Sequence, residues 1–422
     1  MRATSIPPRD EGRIPERAPR LFSAFAYRDF RLLWTGLLIS NVGWWMQFTS
    51  LTYLVGVVLA KGPAQSALNL GLLGAVRSVP VLLLSPLAGL VADRYPRRRT
   101  LLFTNIAQVA LALALAVVSA YRGGWVLLVV YAIASMQAAS QCFDSPSRQS
   151  WIPLLVPRRL ISNAIGLNSI AFNAPMMVGP AIAGVLIAGV SLGISFYANA
   201  ISSFAVVAAL IMMSPAPASS SSREPALRQI AEGLRFIAKH PVLRWIVFML
   251  VVTSFLVRPF TSLLAAYAAH VVFVDAKGYA WLLTAGGLGT ITGALVTALY
   301  HSERRGGLWF GAGVLASVGL LALGYTHDFK FALLEQVALG LGTMAFVSSS
   351  NVLVQTLSPD EMRGRAMSVY SMVILGLVPA GTLLLGSLGS VLGLGTAFIC
   401  SGSLALLLGF WVWLSSPAVR SA

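Results

Sequence analysis

Long apolar runs broken by short polar stretches dominate the chain, with neither strict alternation nor a narrow polar stripe inside most runs. Runs of about 20 residues suit helices crossing a hydrocarbon core of about 30 Å, because lipid offers backbone groups no partners and a helix satisfies them internally. The pattern predicts twelve segments, at 32–58, 68–92, 100–121, 124–145, 165–189, 192–213, 245–268, 279–300, 307–326, 331–354, 366–388 and 391–415. The expected fold class is an all-α polytopic membrane protein with twelve transmembrane helices in two six-helix halves. Its divisions are a tail over 1–27, a first half over 28–213, a linker over 214–242, a second half over 243–415 and a tail over 416–422.

The N-terminal stretch MRATSIPPRDEGRIPERAPR reads as a disordered tail, and the first apolar run has no small-residue cleavage signature after it. The linker opens with SPAPASSSSREPA, a flexible composition. Leu227, Ile230, Leu234 and Ile237 then recur at helical spacing, which predicts an amphipathic helix on the membrane surface with its basic residues toward headgroups.

The two halves echo each other. LVPRRLISNAIGLNS around Pro157 and LSPDEMRGRAMSVYS around Pro359 share Pro, then Leu160 or Met362, Ala164 or Ala366, and Ser169 or Ser371 in step. A repeated six-span unit suits a carrier that moves one half against the other.

Composition agrees with lipid as solvent: 57% of residues are hydrophobic and only 10% charged, with a mean hydropathy of +0.79. A net charge of +16 would suit a nucleic-acid binder if the cations formed one stripe. Instead 24 of the 30 Lys and Arg fall on one side of the predicted spans and four (Lys61, Arg122, Lys277, Lys330) on the other. Positive residues in short loops stay in the cytoplasm, so both termini are expected there and no nucleic acid is expected as a partner. Cys142 and Cys400 support neither a disulfide framework nor a metal site.

GLVADRYPRRR, residues 89–99, resembles the loop between the second and third helices of the major facilitator superfamily. Gly89, Asp93, Arg94, Arg97 and Arg98 fit that pattern, and Pro96 replaces its second Gly, which stiffens the turn. The resemblance extends over residues 22–415, through YRDFRLLWTGLLISNVGWWMQ, FDSPSRQSWIPLLVPRRLISNAIGLNS and SPDEMRGRAMSVYSMV. It points to the bacterial exporter branch that includes enterobactin exporters and macrolide-efflux carriers, and so to the bacterial cytoplasmic membrane. PMMVGPAIAGVL in the fifth span resembles the Gly-Pro motif of drug and proton exchangers through Gly179, Pro180 and Gly184, with Pro175 and Ala183 as departures.

Candidate residues fall into four groups. Gly89, Asp93, Arg94, Arg97, Arg98, Asp144 and Arg148 form a candidate cytoplasmic gate, in which Asp144 is able to pair with Arg148 or with a base of the 93–99 loop. Asn41, Trp45, Thr49, Arg77, Asn168, Asn173 and Arg258 are candidate cavity residues, the aromatic and polar ones suiting an amphipathic compound. The charges are costly in lipid, so Arg77 faces the cavity, pairs there, or snorkels to the outer interface, and Arg258 pairs across the bundle or meets substrate. Glu335 is the candidate proton carrier, unless it pairs with Arg77 or Arg258. Gly179, Pro180 and Gly184 permit close helix packing.

No GxxxxGK[ST] phosphate loop occurs, no cofactor is expected and no chemical bond is expected to change. The expected function is secondary export of a small amphipathic, drug-like molecule, with protons as counter-ions, lipids as surroundings and a monomer as the working unit. A siderophore exporter, a lipid or lysophospholipid translocator and a non-transporting scaffold are the alternatives.

Overall fold

The computed structural model describes residues 20–213, 226–300 and 305–420, and no strand occurs among them. The first half contains α1 (Arg28–Tyr53), α2 (Pro63–Arg94), α3 (Arg97–Val118), α4 (Gly124–Trp151), α5 (Ile161–Gly189) and α6 (Gly193–Met212). A linker helix α7 (Ala226–Lys239) leads into α8 (Leu243–Val252), α9 (Phe260–His270), α10 (Ala276–Leu299), α11 (Gly306–Tyr325), α12 (Phe329–Leu357), α13 (Asp360–Leu392) and α14 (Leu394–Ser415). A final turn, α15, covers Pro417–Arg420.

Among the described residues, ten spans are long and apolar enough to cross a membrane, with α8 and α9 together forming one of them. Helices α1 and α2, of 26 and 32 residues, have the length as well and pack in the same bundle. Several helices outrun their apolar cores. Helix α13 begins at Asp360, and its first turn carries Asp360 and Glu361, acids that favour a helix N-terminus. Helix α4 continues through the polar stretch to Trp151.

The sequence repeat reappears as packing. Contacts α2–α4, α3–α4 and α3–α6 of the first half are matched in the second by α10–α12, α11–α12 and α11–α14. Under the same correspondence α2 matches α10 and α5 matches α13. The halves meet along α2–α13 and α5–α10, two seams that exchange with each other.

Both seams lie toward the face remote from the termini, and small residues build them. A Cβ placed on Gly386 of α13 would come within 2.6 Å of the Ala67 carbonyl oxygen and 2.7 Å of Gly71 Cα on α2. One on Gly287 of α10 would come within 2.9 Å of the Met176 carbonyl and of Met177 Cα on α5. Helices in lipid gain no hydrophobic drive from association, so such backbone-to-backbone approach supplies the packing.

The seventh span is broken. A π turn covers Thr253–Val257, with the Arg258 amide bonding back to the Thr253 carbonyl at 2.9 Å, and α9 restarts after Pro259. Pro259 has no N–H to give the ladder, so a local re-satisfaction of this kind is expected there. Helix α13 fits against the break through Gly381, whose missing Cβ leaves room for the Phe255 carbonyl and the Pro259 ring. Helix α7 also lies on α13. Ile237 is buried and Ile230 half-buried, as the helical spacing requires, while Leu234 stays exposed and the Leu227 side chain lies outside the described residues.

Candidate functional site

An amide inside an apolar span must find a partner or be left unsatisfied at a cost of a few kcal/mol. In the first half several amides find one another. Asn199 Nδ2 of α6 donates to Gln47 Oε1 of α1 at 2.7 Å, and Gln47 Nε2 donates to Gln137 Oε1 of α4 at 2.9 Å. Gln108 Nε2 of α3 donates to the Gln137 carbonyl at 3.0 Å and approaches Gln141 Oε1 at 3.4 Å.

This network borders a pocket of about 340 Å³, counted to its open mouth, with Arg77 of α2 in its wall. Trp44 and Phe48 of α1 supply an aromatic side, their rings stacked at 5.7 Å and 14°. Arg77 lies one turn along α2 from Gly74, whose Cβ position is 2.8 Å from Thr382 Cβ of α13. The pocket therefore sits just on the terminus side of the closed seam.

Of the predicted cavity residues, Arg77 lines this pocket, and Trp45 stands edge-on to both Trp44 and Phe48 at 5.1 and 5.4 Å. Asn41 instead donates to the Ala171 carbonyl at 2.9 Å, a bridge between α1 and α5. Thr49 is buried and gives its proton to the Trp45 carbonyl, and Asn173 gives an amide proton to the Ser169 carbonyl of its own helix. Asn168 Oδ1 is buried without a partner. Arg258 belongs to the other half, where its Nη1 donates to the Ile374 carbonyl of α13 at 3.2 Å. Gln47, Gln108 and Asn199 were not predicted, yet each is an amide in an apolar run and could have been found by asking what it bonds.

About two turns beyond Gln137 along α4, Asp144 Oδ2 accepts from Thr104 Oγ1 at 3.1 Å and from Asn105 Nδ2 at 2.9 Å, while Oδ1 pairs with Arg148. The Arg148 guanidinium also lies 5.2 Å over the Phe172 ring of α5. Asp144 and Arg148 thus tie α3, α4 and α5 of one half together, and among the described residues Asp144 has no bond to a base of the 93–99 loop. Arg98 Nη2 caps α6 by donating to the Ile211 carbonyl at 2.8 Å, and Arg97 keeps Nε and Nη1 buried without partners. Helix α2 ends at Arg94 and α3 starts at Arg97, with Tyr95 and Pro96 between them. The side chains of Asp93 and Arg94, and the surroundings of Gly89, lie outside the described residues.

Glu335 pairs with neither Arg77 nor Arg258. Its Oε1 accepts from Thr326 Oγ1 at 2.6 Å at the face remote from the termini, where Tyr267 donates to the Thr326 carbonyl at 2.8 Å, and its Oε2 is buried without a partner. Gly179 of α5 gives room to Trp45 and to the Val42 carbonyl of α1, Gly184 gives room to Ala280 of α10, and Pro180 is buried between them along α5.

A family model described as transmembrane secretion effector matches residues 20–420. The MFS-type transporter YfiS of Bacillus subtilis (strain 168), itself uncharacterized, is 26% identical over 408 residues, 91% of this chain and 92% of that one. The multidrug efflux pump Tap of Mycolicibacterium fortuitum is 29% identical over 200 residues, 46% of this chain and 47% of that one. Among solved structures, the nucleoside transporter NupG superposes with a TM-score of 0.74 at 11% identity, covering 92% of this chain and 99% of that one. A bacterial homologue of the lysosomal transporter Spinster, inward-facing and unoccupied, gives a TM-score of 0.70 at 15% identity, covering 94% and 99%. With its family match running nearly end to end and its two six-helix halves meeting along exchanged seams, the chain belongs to the transmembrane secretion effector family of the major facilitator superfamily.

Proposed function

We propose that this transporter exports a small amphipathic, drug-like molecule across the bacterial cytoplasmic membrane by alternating access, in exchange for protons. The observation that carries the reading is the pair of glycine-lined seams, α2–α13 and α5–α10, closed toward one face with a partly aromatic pocket just behind them. With the termini in the cytoplasm, the closed face is the outer one. Substrate then enters the pocket from the cytoplasm or inner leaflet, the seams part, and the opposite mouth closes. The likeness of half the chain to a multidrug efflux pump supports a drug-like cargo. The working unit is a monomer surrounded by lipid.

Reconstitution into sealed proteoliposomes tests the reading, with a panel of dyes, macrolides, siderophores and lysolipids and a pH-sensitive dye on the proton side. Export of drug-like members of the panel, aromatic dyes with an acidic group foremost, with opposite proton movement is expected. Movement of siderophores or lysolipids alone would replace the cargo, and substrate movement indifferent to a proton gradient would remove the antiport.

A further inference from the structure

We propose that the pocket behind the closed seam recognises an anionic group, carboxylate, sulfonate or phosphate, attached to a planar aromatic body. The inference deepens the export reading by naming the chemical class of its cargo, and it rests on that reading only for the direction of movement.

Two donors in the pocket lack acceptors. Arg77 has no carboxylate partner among the described residues, although it sits within a span, where an unpaired cation is costly. Gln137 is 7% exposed, and because its Oε1 is taken by Gln47, its Nε2 is left buried with no acceptor. The pocket wall contains no acidic residue. Two acids within the described spans bond elsewhere: Asp144 with Arg148, Thr104 and Asn105, and Glu335 through Oε1 with Thr326 at the face remote from the termini. An ammonium cargo would meet no carboxylate here and would face Arg77.

An anion supplies what both donors miss. Guanidinium pairs with carboxylate or phosphate through two parallel N–H bonds, and an amide N–H adds a third. The stacked Trp44 and Phe48 rings offer a flat apolar face to the remainder of such a molecule at the pocket's open mouth.

Binding to the full-length protein in nanodiscs tests this, using 2-naphthylacetate, its amide and 2-naphthylethylamine as probes of matched shape. The carboxylate is expected to bind at least about tenfold tighter than either partner, the loss of one charge-assisted contact corresponding to about 1.4 kcal/mol. Arg77→Gln should abolish that preference, and Gln137→Glu, which places an acceptor of the same shape in the pocket, should abolish it as well. Arg77→Lys should keep part of it. Equal or tighter binding of the amine, or a preference surviving in a folded Gln137→Glu and in Arg77→Gln, would overturn the proposal. Carboxylate preference in nanodiscs without transport in vesicles would leave the pocket standing and remove export. Transport of the carboxylate unaffected by Arg77→Gln would do the reverse.

Discussion

Thr52 Oγ1 of α1 and Tyr279 OH of α10 lie 2.7 Å apart, both fully buried, and join the two halves at the closed face. Thr52 also reaches the Phe48 carbonyl at 2.8 Å, so its own proton has an acceptor and Tyr279 acts as donor to Thr52. Tyr53 stacks on the same tyrosine with ring centroids 6.2 Å apart. Tyr279→Phe removes the bond while keeping the ring and leaving Thr52 satisfied. A hydrogen bond of this kind contributes about 0.5–1.5 kcal/mol, so the population with this face closed should fall by a factor of about 2 to 10 relative to the open form. Distance distributions between spin labels at positions 61 and 277, in a background lacking Cys142 and Cys400, should gain a longer component; an unchanged distribution would remove Tyr279 from the latch.

A larger effect is expected from Gly386→Val. The new side chain would have to displace backbone at Ala67 and Gly71, which cannot swing aside as a flexible side chain does. Overpacking of this kind costs about 1–3 kcal/mol, and only the closed arrangement bears it. The same spin-label pair should therefore report opening of that face without loss of the folded protein. Gly307, which has open space at its Cβ position, is the control site and should tolerate Ala with no change.

The linker helix offers a contrast of magnitudes. Glu232 Oε2 pairs with Arg365 Nη1 at 2.8 Å, but both side chains are a quarter or more exposed, and such pairs contribute at most about 1 kcal/mol. Gly233 is pressed closer, with its Cβ position 2.5 Å from the Arg365 carbonyl oxygen. Glu232→Gln should leave the linker's resistance to limited proteolysis nearly unchanged, whereas Gly233→Val should lift α7 from α13 and speed cleavage markedly. Equal sensitivity of the two variants would contradict this ranking.

Acid should loosen the start of α8. His240 Nδ1 accepts from the backbone amides of Val242 and Leu243 at 3.2 and 3.1 Å, a role open only to the neutral ring, and burial pushes its pKa below the ordinary histidine value. A folded-state pKa below the unfolded one means the stabilisation is complete above the unfolded value of about 6.5 and is lost as pH falls through the lower, folded value. Amide-exchange protection at Val242 and Leu243 should drop in that acidic range by about the value of a cap, ~1 kcal/mol or some fivefold. His240→Asn, which caps without titrating at these pH values, should lose the pH dependence.

Much of the architecture was legible in the sequence because lipid imposes one rule, that spans be apolar and helical. The repeat around Pro157 and Pro359 even foreshadowed the seams, since α5 and α13, which follow those prolines, each supply one. Side-chain partnerships were less legible. Arg77 and Glu335 stood out as charges in apolar runs, but whether they met depended on which end of which helix each occupied, and they lie in different halves with different neighbours. The Asn199, Gln47 and Gln137 chain spans three helices far apart in sequence, so no local spacing announces it. Asp144 and Arg148, four residues apart, needed only helical periodicity to be paired.

The seams have a kinetic consequence. Where glycines meet carbonyl groups, few interlocked rotamers have to unwind before the surfaces part, so the barrier to separation there is set mainly by short-range attraction between smooth backbones. Such a joint resembles a clutch, two faces that hold by area of contact and not by interlocking teeth.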